Sequence, residues 1–337
     1  MTEPTELNEL NELTPPNFQQ LTPECVLDAV DQLGFLTNGR LLALNSYENR
    51  VYQVGIEDEA PLIVKFYRPA RWSDAGILEE HRFVHELVEQ EIPVVAALEL
   101  NGRSLHHFQG FRFALFRRHA GRAPELDHPG ILEWLGRFIG RIHAVGALDS
   151  YQERPTINIQ NFGFAARDFL ISQQFIPADL LASYRSTTNL LLDGVQRCFE
   201  RAGDVAQLRL HGDCHLSNVL WTEAGPHFVD FDDSRMGPAI QDLWMLLSGS
   251  RAEMTRQFCD ILAGYEDFKE FNPRELHLME ALRSLRLLHY SAWLAQRWED
   301  PAFKVAFPWF NTQHYWQNRI LELREQCALM DEEPLRI

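Results

Sequence analysis

The most constraining feature of this chain is the segment His211–Asn218, which reads HGDCHLSN. A short strand-like run, Leu208–Leu210, comes before it, and a second one, Pro226–Val229, leads directly into Asp230. The intervening turn, Trp221–Gly225, is short enough to predict a β-hairpin. Carboxylates at the ends of buried strands are costly unless cations or hydrogen bonds compensate for their burial. The pattern therefore predicts a polar site where two short strands end.

Three residues of this site carry the oxygen groups that phosphoryl transfer requires. Asp213 would position an attacking hydroxyl and accept its proton. The amide oxygen of Asn218 and the carboxylate of Asp230 would hold Mg²⁺ on the nucleotide phosphates, because Mg²⁺ prefers hard oxygen ligands. Each motif alone is weak, since helix caps and turns usually explain a single Asp or Asn. Their order on two strands nevertheless predicts an ATP- and Mg²⁺-dependent kinase.

A second interpretation assigns His211, Asp213 and His215 to a zinc site, because they alternate along one face of the chain. It is the less favoured interpretation. Two imidazoles and a carboxylate would need further supporting groups, and no other histidine cluster has the spacing of metal ligands.

The bulk composition excludes several classes of protein. The 337 residues suffice for two lobes or one large domain. No run approaches the roughly 18 apolar residues of a membrane span, and no basic segment followed by an apolar one opens the chain, so we expect neither a span nor a secretory signal. Five cysteines without CxxC spacing predict reduced thiols in the cytoplasm. The net charge of −17 argues against nucleic acid and anionic membranes as partners.

Composition also changes along the chain, and the change predicts two lobes. Residues 1–20, with a repeated Asn-Glu-Leu motif, are expected to form a flexible tail. Residues 21–117 are rich in predicted strands, whereas residues 123–337 are mostly helical, which places a hinge at residues 118–122. The expected fold class is α+β, with a small sheet-rich N-terminal lobe and a larger helical C-terminal lobe. Because no repeat or coiled-coil pattern occurs, we expect a monomer.

Turn residues and apolar periodicity locate the individual elements. Thr22 is typical of a helix cap, and Ser73 is a candidate cap for a second helix that ends near Gln90. The apolar residues expected on the buried face of that second helix are Ile77, Val84 and Val88. The predicted strands are Leu41–Leu44, Arg50–Val54, Leu62–Tyr67, Val94–Leu100 and Phe111–Phe116. Further helices are predicted at Leu135–Ile142, at Asp179–Glu200, from Ala239 onward and at Leu276–Trp298.

Lys65 lies inside an apolar predicted strand, where a lysine is costly unless it is paired. In a nucleotide kinase such a lysine contacts phosphates and is held by a carboxylate of the following helix. Glu79 and Glu80 are the candidates, and the helical pattern favours Glu80. The alternative is an edge-strand lysine whose amine reaches solvent.

The segment His211–Asn218 resembles the catalytic loop of the aminoglycoside phosphotransferase and choline kinase superfamily, a branch of the protein-kinase-like fold. Every fixed position of the His-Gly-Asp-x-His-x-x-Asn pattern is matched. Three further segments resemble the bacterial stress response kinase A proteins, which are cytoplasmic serine/threonine protein kinases. These segments are Leu44–Gln53, Val64–Pro69 and Gly237–Trp244.

The resemblance implies a bilobal protein-kinase-like fold and a role for each matched residue. It implies that Asp213 is the catalytic base and that Asp242 accepts backbone hydrogen bonds from the catalytic loop, with His211 in a similar positioning role. It implies that Arg117–Ala120 offers backbone groups to adenine. The implied nucleotide and metal residues are Ser46, Lys65 and its partner Glu80 for ATP, and Asn218 and Asp230 for Mg²⁺.

The chain departs from the common protein kinase pattern in ways that concern its acceptor. No GxGxxG precedes Lys65, so the side chains or amides of Ser46 and Asn49 are expected to cradle the phosphates. Gly212 replaces the arginine that often precedes the catalytic Asp. The stretch from Asp230 to Asp242 is too short for a long activation loop.

A protein serine or threonine is the preferred acceptor, on the strength of the resemblance. A small alcohol, choline or amino sugar is the first alternative, and a non-catalytic ATP-binding pseudokinase is the second. Arg283 and Arg286, three residues apart on a predicted helix, are candidates for binding an acidic group of the acceptor, although such pairs are more often solvated surface residues.

Overall fold

The structure is a computed structural model that describes residues 17–125, 130–223 and 225–337. The chain divides into two compact units. Unit 1 comprises Met1–Asp74 and Ala97–Arg118, and unit 2 comprises Ala75–Ala96 and His119–Ile337. These units differ from the predicted lobes because most of the helix after Ser73 groups with unit 2. The lobe boundaries at 21–117 and 123–337, with a hinge at 118–122, stay a prediction.

The described residues of unit 1 form the α-helix α1, a short 3₁₀ helix and a five-stranded antiparallel sheet in the order β1-β2-β3-β5-β4. The hydroxyl of Thr22 accepts a hydrogen bond from the N–H of Cys25 at 3.2 Å, which confirms the predicted helix cap. The elements are α1 (Pro23–Asp31), β1 (Thr37–Ala43), β2 (Arg50–Ile56), β3 (Leu62–Phe66), β4 (His106–Phe108) and β5 (Phe111–Arg117).

The apolar core of unit 1 lies between α1 and one face of the sheet. On β3, Val64 and Phe66 are fully buried and are register partners of β5 residues Leu115 and Phe113. Successive side chains of a strand point to opposite faces, so Lys65 lies on the other face of the sheet. The core therefore fixes the register that determines where Lys65 points.

The last residues of the predicted tail are packed against unit 1. Residues 1–16 lie outside the described residues, but Phe18–Gln20 forms a short 3₁₀ helix. Phe18 is buried and stacks on Phe111 with ring centroids 6.4 Å apart. The guanidinium carbon of Arg50 lies over the ring of Phe18, 4.6 Å from its centroid. Burial of the aromatic ring of Phe18 stabilises this short helix.

Unit 2 is mainly helical and contains two short antiparallel strand pairs, β6 with β9 and β7 with β8. No helix in the described ranges is both long and apolar enough to cross a membrane. The strands are β6 (Leu208–Arg209), β7 (Val219–Thr222), β8 (Gly225–Phe228) and β9 (Met236–Gly237). The helices are α2 (Asp74–Glu89), α3 (Ile131–Gly146), α4 (Ala165–Ser172), α5 (Leu181–Ala202), α6 (Ile240–Trp244), α7 (Arg251–Tyr265), α8 (Met279–Gln296), α9 (Pro301–Ala306) and α10 (Gln313–Met330).

Two sequence expectations for the middle of the chain are wrong. Val88 is 44% exposed, and its neighbour Leu87 instead completes the buried face of α2 together with Ile77 and Val84. The predicted strand Val94–Leu100 forms only isolated bridges, because its residues pair one at a time with different partners. The helices α4, α9 and α10 were not expected.

Close contact between α3 and α7 brings together groups that matter for the site. A Cβ atom added to Gly136 would lie 2.0 Å from the carbonyl oxygen of Ile261, and one added to Gly264 would lie 2.0 Å from that of Glu133. The two helix backbones therefore touch without intervening side chains. This contact therefore sets the distance between residues that lie further along α3 and α7.

We predict that Gly136→Leu lowers the free energy of unfolding by about 3 kcal/mol, because the added side chain must separate α3 from α7. The higher helix propensity of leucine would by itself raise the free energy of unfolding by roughly 1 kcal/mol. A decrease would therefore indicate that the added side chain does not fit between α3 and α7. Urea unfolding measures the effect. Ala252→Leu, at an exposed position of α7, is the matched control and should change stability little. Equal stability of Gly136→Leu and the unsubstituted protein would contradict the described contact.

Candidate active site

The carboxylate of Asp242 holds the backbone of the predicted catalytic loop. Its oxygens accept hydrogen bonds from the N–H groups of His211 at 2.8 Å and Gly212 at 2.9 Å. His143 of α3 lies 3.0 Å from the same carboxylate through Nε2 and 3.0 Å from the hydroxyl of Tyr265 of α7 through Nδ1. Because a carboxylate only accepts hydrogen bonds, Nε2 of His143 is the donor to Asp242. The predicted backbone contacts of Asp242 are confirmed.

Gly212 is required by space and by conformation. Its φ of 86° lies in the left-handed region, and an added Cβ would lie 2.1 Å from the carbonyl oxygen of Asp233. The absence of an arginine at this position is thus explained by close approach of the segment that follows Asp230.

Both ring nitrogens of His211 form hydrogen bonds with backbone groups. Nε2 donates to the carbonyl of Val229 at 2.9 Å, and Nδ1 accepts the N–H of Asp213 at 3.3 Å. The ring also packs on Phe231, with centroids 4.4 Å apart. Within the described ranges, no group of three or more His, Cys, Asp or Glu is suited to hold a metal ion. The zinc interpretation is therefore unsupported, and His211 positions the loop.

Asp213 presents a half-buried carboxylate with two cationic or donor neighbours. Oδ1 lies 2.7 Å from a guanidinium nitrogen of Arg286 on α8, and Oδ2 lies 3.4 Å from Nε2 of His215. Burial raises the pKa of the Asp213 carboxyl, but the hydrogen bond from His215 and the charge of Arg286 outweigh burial and leave that pKa below its ordinary value. The carboxylate is therefore ionised at neutral pH.

Asn218 and Asp230 flank the hairpin formed by β7 and β8. The N–H of Val229 donates to the backbone oxygen of Asn218 at 3.0 Å, which continues the ladder beyond the strand pair. The side-chain amide of Asn218 donates to the carbonyl of Asp213 at 3.0 Å, so its oxygen is turned away from that carbonyl. Asp230 has a φ of 61°, which costs a non-glycine residue of order 1–3 kcal/mol. Such strain at the end of a strand is typical of a functional position.

Arg154, which the sequence did not single out, connects three segments of unit 2. Its side chain is fully buried and donates to the carbonyls of Gly76 at 2.7 Å, Asp232 at 2.9 Å and Ser234 at 2.9 Å. It also pairs with Glu80 at 2.8 Å. The start of α2 and the segment after Asp230 are thereby fixed by one guanidinium, which has five donors in a rigid plane.

The two acidic candidates of α2 are both buried and both engaged within unit 2. Glu80 pairs with Arg154, while the carboxylate of Glu79 accepts the backbone N–H groups of Gln152, Glu153 and Arg154 at 2.7–3.2 Å. The pairing of Lys65 with Glu80 stays a prediction.

In unit 1, the first hairpin turn is fixed to the end of β3. The side-chain oxygen of Asn49 accepts the N–H of Arg68 at 3.0 Å, and Arg68 also forms an ion pair with Glu48 at 3.0 Å. The side-chain oxygen of Asn49 therefore has a structural role, and the phosphate contact of Asn49 stays a prediction. Ser46 lies half-buried in the same turn. Lys65 is buried, with its amine 5.3 Å from the centroid of Tyr67.

Comparison with known proteins identifies the family. Residues 40–308 match the model of the phosphotransferase enzyme family, APH. The chain belongs to this family. It is 45% identical to the serine/threonine protein kinase RdoA of Salmonella typhimurium strain LT2 over 95% of this chain and 97% of that protein. It is 43% identical to stress response kinase A of Escherichia coli strain K12 with the same coverage.

Solved structures with the same fold are phosphotransferases that share little sequence with this chain. An amicoumacin kinase in complex with AMP-PNP, Ca²⁺ and Ami has a TM-score of 0.71 at 18% identity, covering 93% of this chain and 94% of that one. A microcompartment-associated aminopropanol kinase has a TM-score of 0.64 at 17% identity, covering 91% and 96%. The predicted fold class and family resemblance are confirmed. The chain is a kinase that phosphorylates an alcohol group, and the phosphotransferase family implies ATP as co-substrate.

In this phosphotransferase, a buried carboxylate supports α6, the short helix that carries Asp242. Glu275 is 3% exposed and accepts the N–H of Ile240 at 2.9 Å. Burial raises the pKa of Glu275 from 4.5 to about 7. The sequence offered no signal for this role, because Glu275 lies more than thirty residues from the helix that it contacts.

We predict that Glu275 makes stability depend on pH. The folded state keeps the Glu275 proton up to about pH 7, whereas the unfolded state loses it near 4.5, so its contribution is present below pH 4.5 and is lost as pH rises to 7. Glu275→Gln keeps the acceptor oxygen and cannot ionise. Between pH 5 and 8, the free energy of unfolding of the variant should gain about 1–3 kcal/mol relative to the unsubstituted protein. Chemical denaturation across this range measures the difference, and a constant difference would contradict the prediction.

Proposed function

We propose that this phosphotransferase is an ATP- and Mg²⁺-dependent kinase of protein serine or threonine residues. The observation that carries the proposal is the placement of Asp213, Asn218 and Asp230 around one hairpin, with the intervening backbone held by Asp242. Phosphoryl transfer depends on positioning and charge stabilisation more than on covalent chemistry. A rigid loop that presents an ionised carboxylate meets that need.

Asp213 would be the catalytic base. Its carboxylate is 22% exposed and ionised at neutral pH, so an acceptor hydroxyl reaching it would be oriented by a hydrogen bond to an oxygen and would lose its proton there. His215 and Arg286, which contact the two oxygens, are the groups that adjust its basicity. His211 and Asp242 would act through the loop backbone and are positioning residues.

Asn218 and Asp230 would hold Mg²⁺, which when bound neutralises charge on the nucleotide phosphates. The donor set fits this ion, because it consists of an amide oxygen and a carboxylate without thiolate or imidazole. The amide nitrogen of Asn218 is occupied by the carbonyl of Asp213, which leaves its oxygen as the group for a metal. Lys65 and Ser46 of unit 1 would contact the phosphates, and Glu80 would be the partner of Lys65.

The acceptor class is supported by the relatives at 43–45% identity, two of which are named as a serine/threonine protein kinase and a stress response kinase. We extend both properties to this chain, with a role in stress response and survival. The cytoplasmic location and the monomeric state stay predictions from the sequence. A small-molecule acceptor is the second candidate, because residues 231–241 hold only a 3₁₀ turn, a two-residue strand and the start of α6.

We predict that Asp213→Asn lowers transfer of label from γ-labelled ATP by about 10²–10⁴-fold, because the amide cannot accept the hydroxyl proton. ATP binding in the presence of Mg²⁺ should be retained. Asp193→Asn, at an exposed position of α5, is the matched control and should keep full turnover. The assay has two arms, a mixture of folded and unfolded proteins and a mixture of alcohols, choline and amino sugars.

Label on serine or threonine of protein that disappears in Asp213→Asn would support the proposal. Label confined to the small molecules would support a kinase with a small-molecule acceptor instead. ATP binding without transfer in either arm would make the chain a pseudokinase and would contradict both.

A further inference from the structure

Arg286 occupies an oxygen of the carboxylate that an acceptor hydroxyl must reach. Its guanidinium lies 2.7 Å from Oδ1 of Asp213, while His215 lies 3.4 Å from Oδ2. Both oxygens are thus engaged. Among the described residues, Oδ1 is buried and lacks a hydrogen-bond partner, so Arg286 balances its charge without donating a hydrogen bond to it. A hydroxyl that hydrogen-bonds to Oδ1 at ordinary distance must push this guanidinium aside or share the oxygen with it, because the two groups would lie in van der Waals contact.

Arg286 differs from the arginine one turn earlier on α8. Arg283 pairs with Glu280 at 3.0 Å and lies over the ring of Trp244, so its charge is balanced within the structural core of unit 2. Arg286 pairs with Asp213, the predicted catalytic base, and its side chain is 41% exposed. Of the two arginines, Arg286 is the more exposed, with 41% of its side chain accessible compared with 18% for Arg283.

Side chains adjacent to Arg286 form a wall that continues from the predicted base. His289, one turn after Arg286, stacks on Phe162 with centroids 4.1 Å apart. Phe162 in turn lies under the guanidinium of Arg235, whose carbon is 5.1 Å from the ring centroid. Arg235 pairs with Asp233, whose backbone touches Gly212 next to Asp213. The wall therefore starts and ends at the catalytic loop; Arg235 in it is buried, whereas the side chain of Arg286 is 41% exposed.

We infer that Arg286 is a specificity-determining residue that selects serine or threonine residues with an Asp or Glu within two positions. When the acceptor hydroxyl takes Oδ1 of Asp213, the half-buried guanidinium loses its carboxylate partner. A carboxylate of the acceptor replaces that partner. A neutral residue next to the acceptor serine or threonine leaves the guanidinium of Arg286 without a carboxylate partner, and a lysine or arginine there adds like-charge repulsion.

This inference rests on the proposed protein kinase function and adds to that function a preference for acceptors with an acidic neighbour. In the absence of acceptor, Arg286 keeps the carboxylate of Asp213 covered. An acidic acceptor uncovers it, which couples recognition to exposure of the base. A cationic amino sugar or choline would lack the required carboxylate.

The test compares serine peptides that differ at one position. A residue within two positions of the serine is Glu, Gln or Lys, and kcat/KM is measured for each peptide with γ-labelled ATP and Mg²⁺. The unsubstituted kinase should prefer the Glu peptide to the Lys peptide by about tenfold or more. Arg286→Ala should reduce this ratio to near one, and Arg286→Glu should invert it.

Two further variants separate specificity from loss of structure. Arg286→Lys keeps the positive charge and should keep the order of the peptides. Arg256→Ala, an exposed arginine of α7, is the matched control and should leave every kcat/KM unchanged. Unfolding curves of all variants establish that each is folded under the assay conditions.

Equal use of the three peptides by the unsubstituted kinase would overturn the inference while leaving the protein kinase function intact. A charge preference that persists in Arg286→Ala would also overturn it. A uniform loss on all peptides together with a raised KM for ATP would assign Arg286 to the nucleotide instead. Absence of any label on serine or threonine in protein would overturn the proposed function itself.

Discussion

The candidate site depends on one buried carboxylate that accepts two consecutive backbone N–H groups. Asp242 binds the amides of His211 and Gly212, and it is held in turn by His143 and Tyr265. Buried acceptors of this kind are favourable only when their partners are fixed, since an unpaired buried charge is costly. The glycine contact between α3 and α7 supplies the fixed partners. The orientation of Asp213 follows from this network.

A second network fixes the segment that carries the predicted metal ligand. Arg154 joins Gly76, Asp232 and Ser234, and the hydroxyl of Ser234 is bonded to Leu210 before the catalytic loop and to Tyr151. The groups expected to act on phosphate are thus held by residues whose own side chains are buried. Catalysis by positioning requires such support, because small displacements of reacting groups are expensive.

The sequence predicted the parts of the site that follow from local pattern. Asp213, Asn218 and Asp230 stand where short strands end, and the cap of α1 and the strands of unit 1 follow from turn residues and alternation. The expectation failed where partners are distant. Val94–Leu100 has strand-like composition but does not pair with a single neighbouring strand. On α2, Leu87 is buried where the sequence pattern predicted Val88. Arg154, His143 and Glu275 were missed because their roles depend on contacts far along the chain.

The hydrogen bonds accepted by Asp242 hold the catalytic loop rigid without help from a ligand. Amide hydrogen exchange of His211 and Gly212 in the ligand-free protein tests this rigidity most directly, with Asp242→Asn for comparison. We expect these two amides to exchange only through global unfolding, as slowly as the core of α3, and to exchange much faster in the variant. Fast exchange of both amides in the unsubstituted protein, while α3 stays protected, would show that Asp242 does not hold the loop rigid.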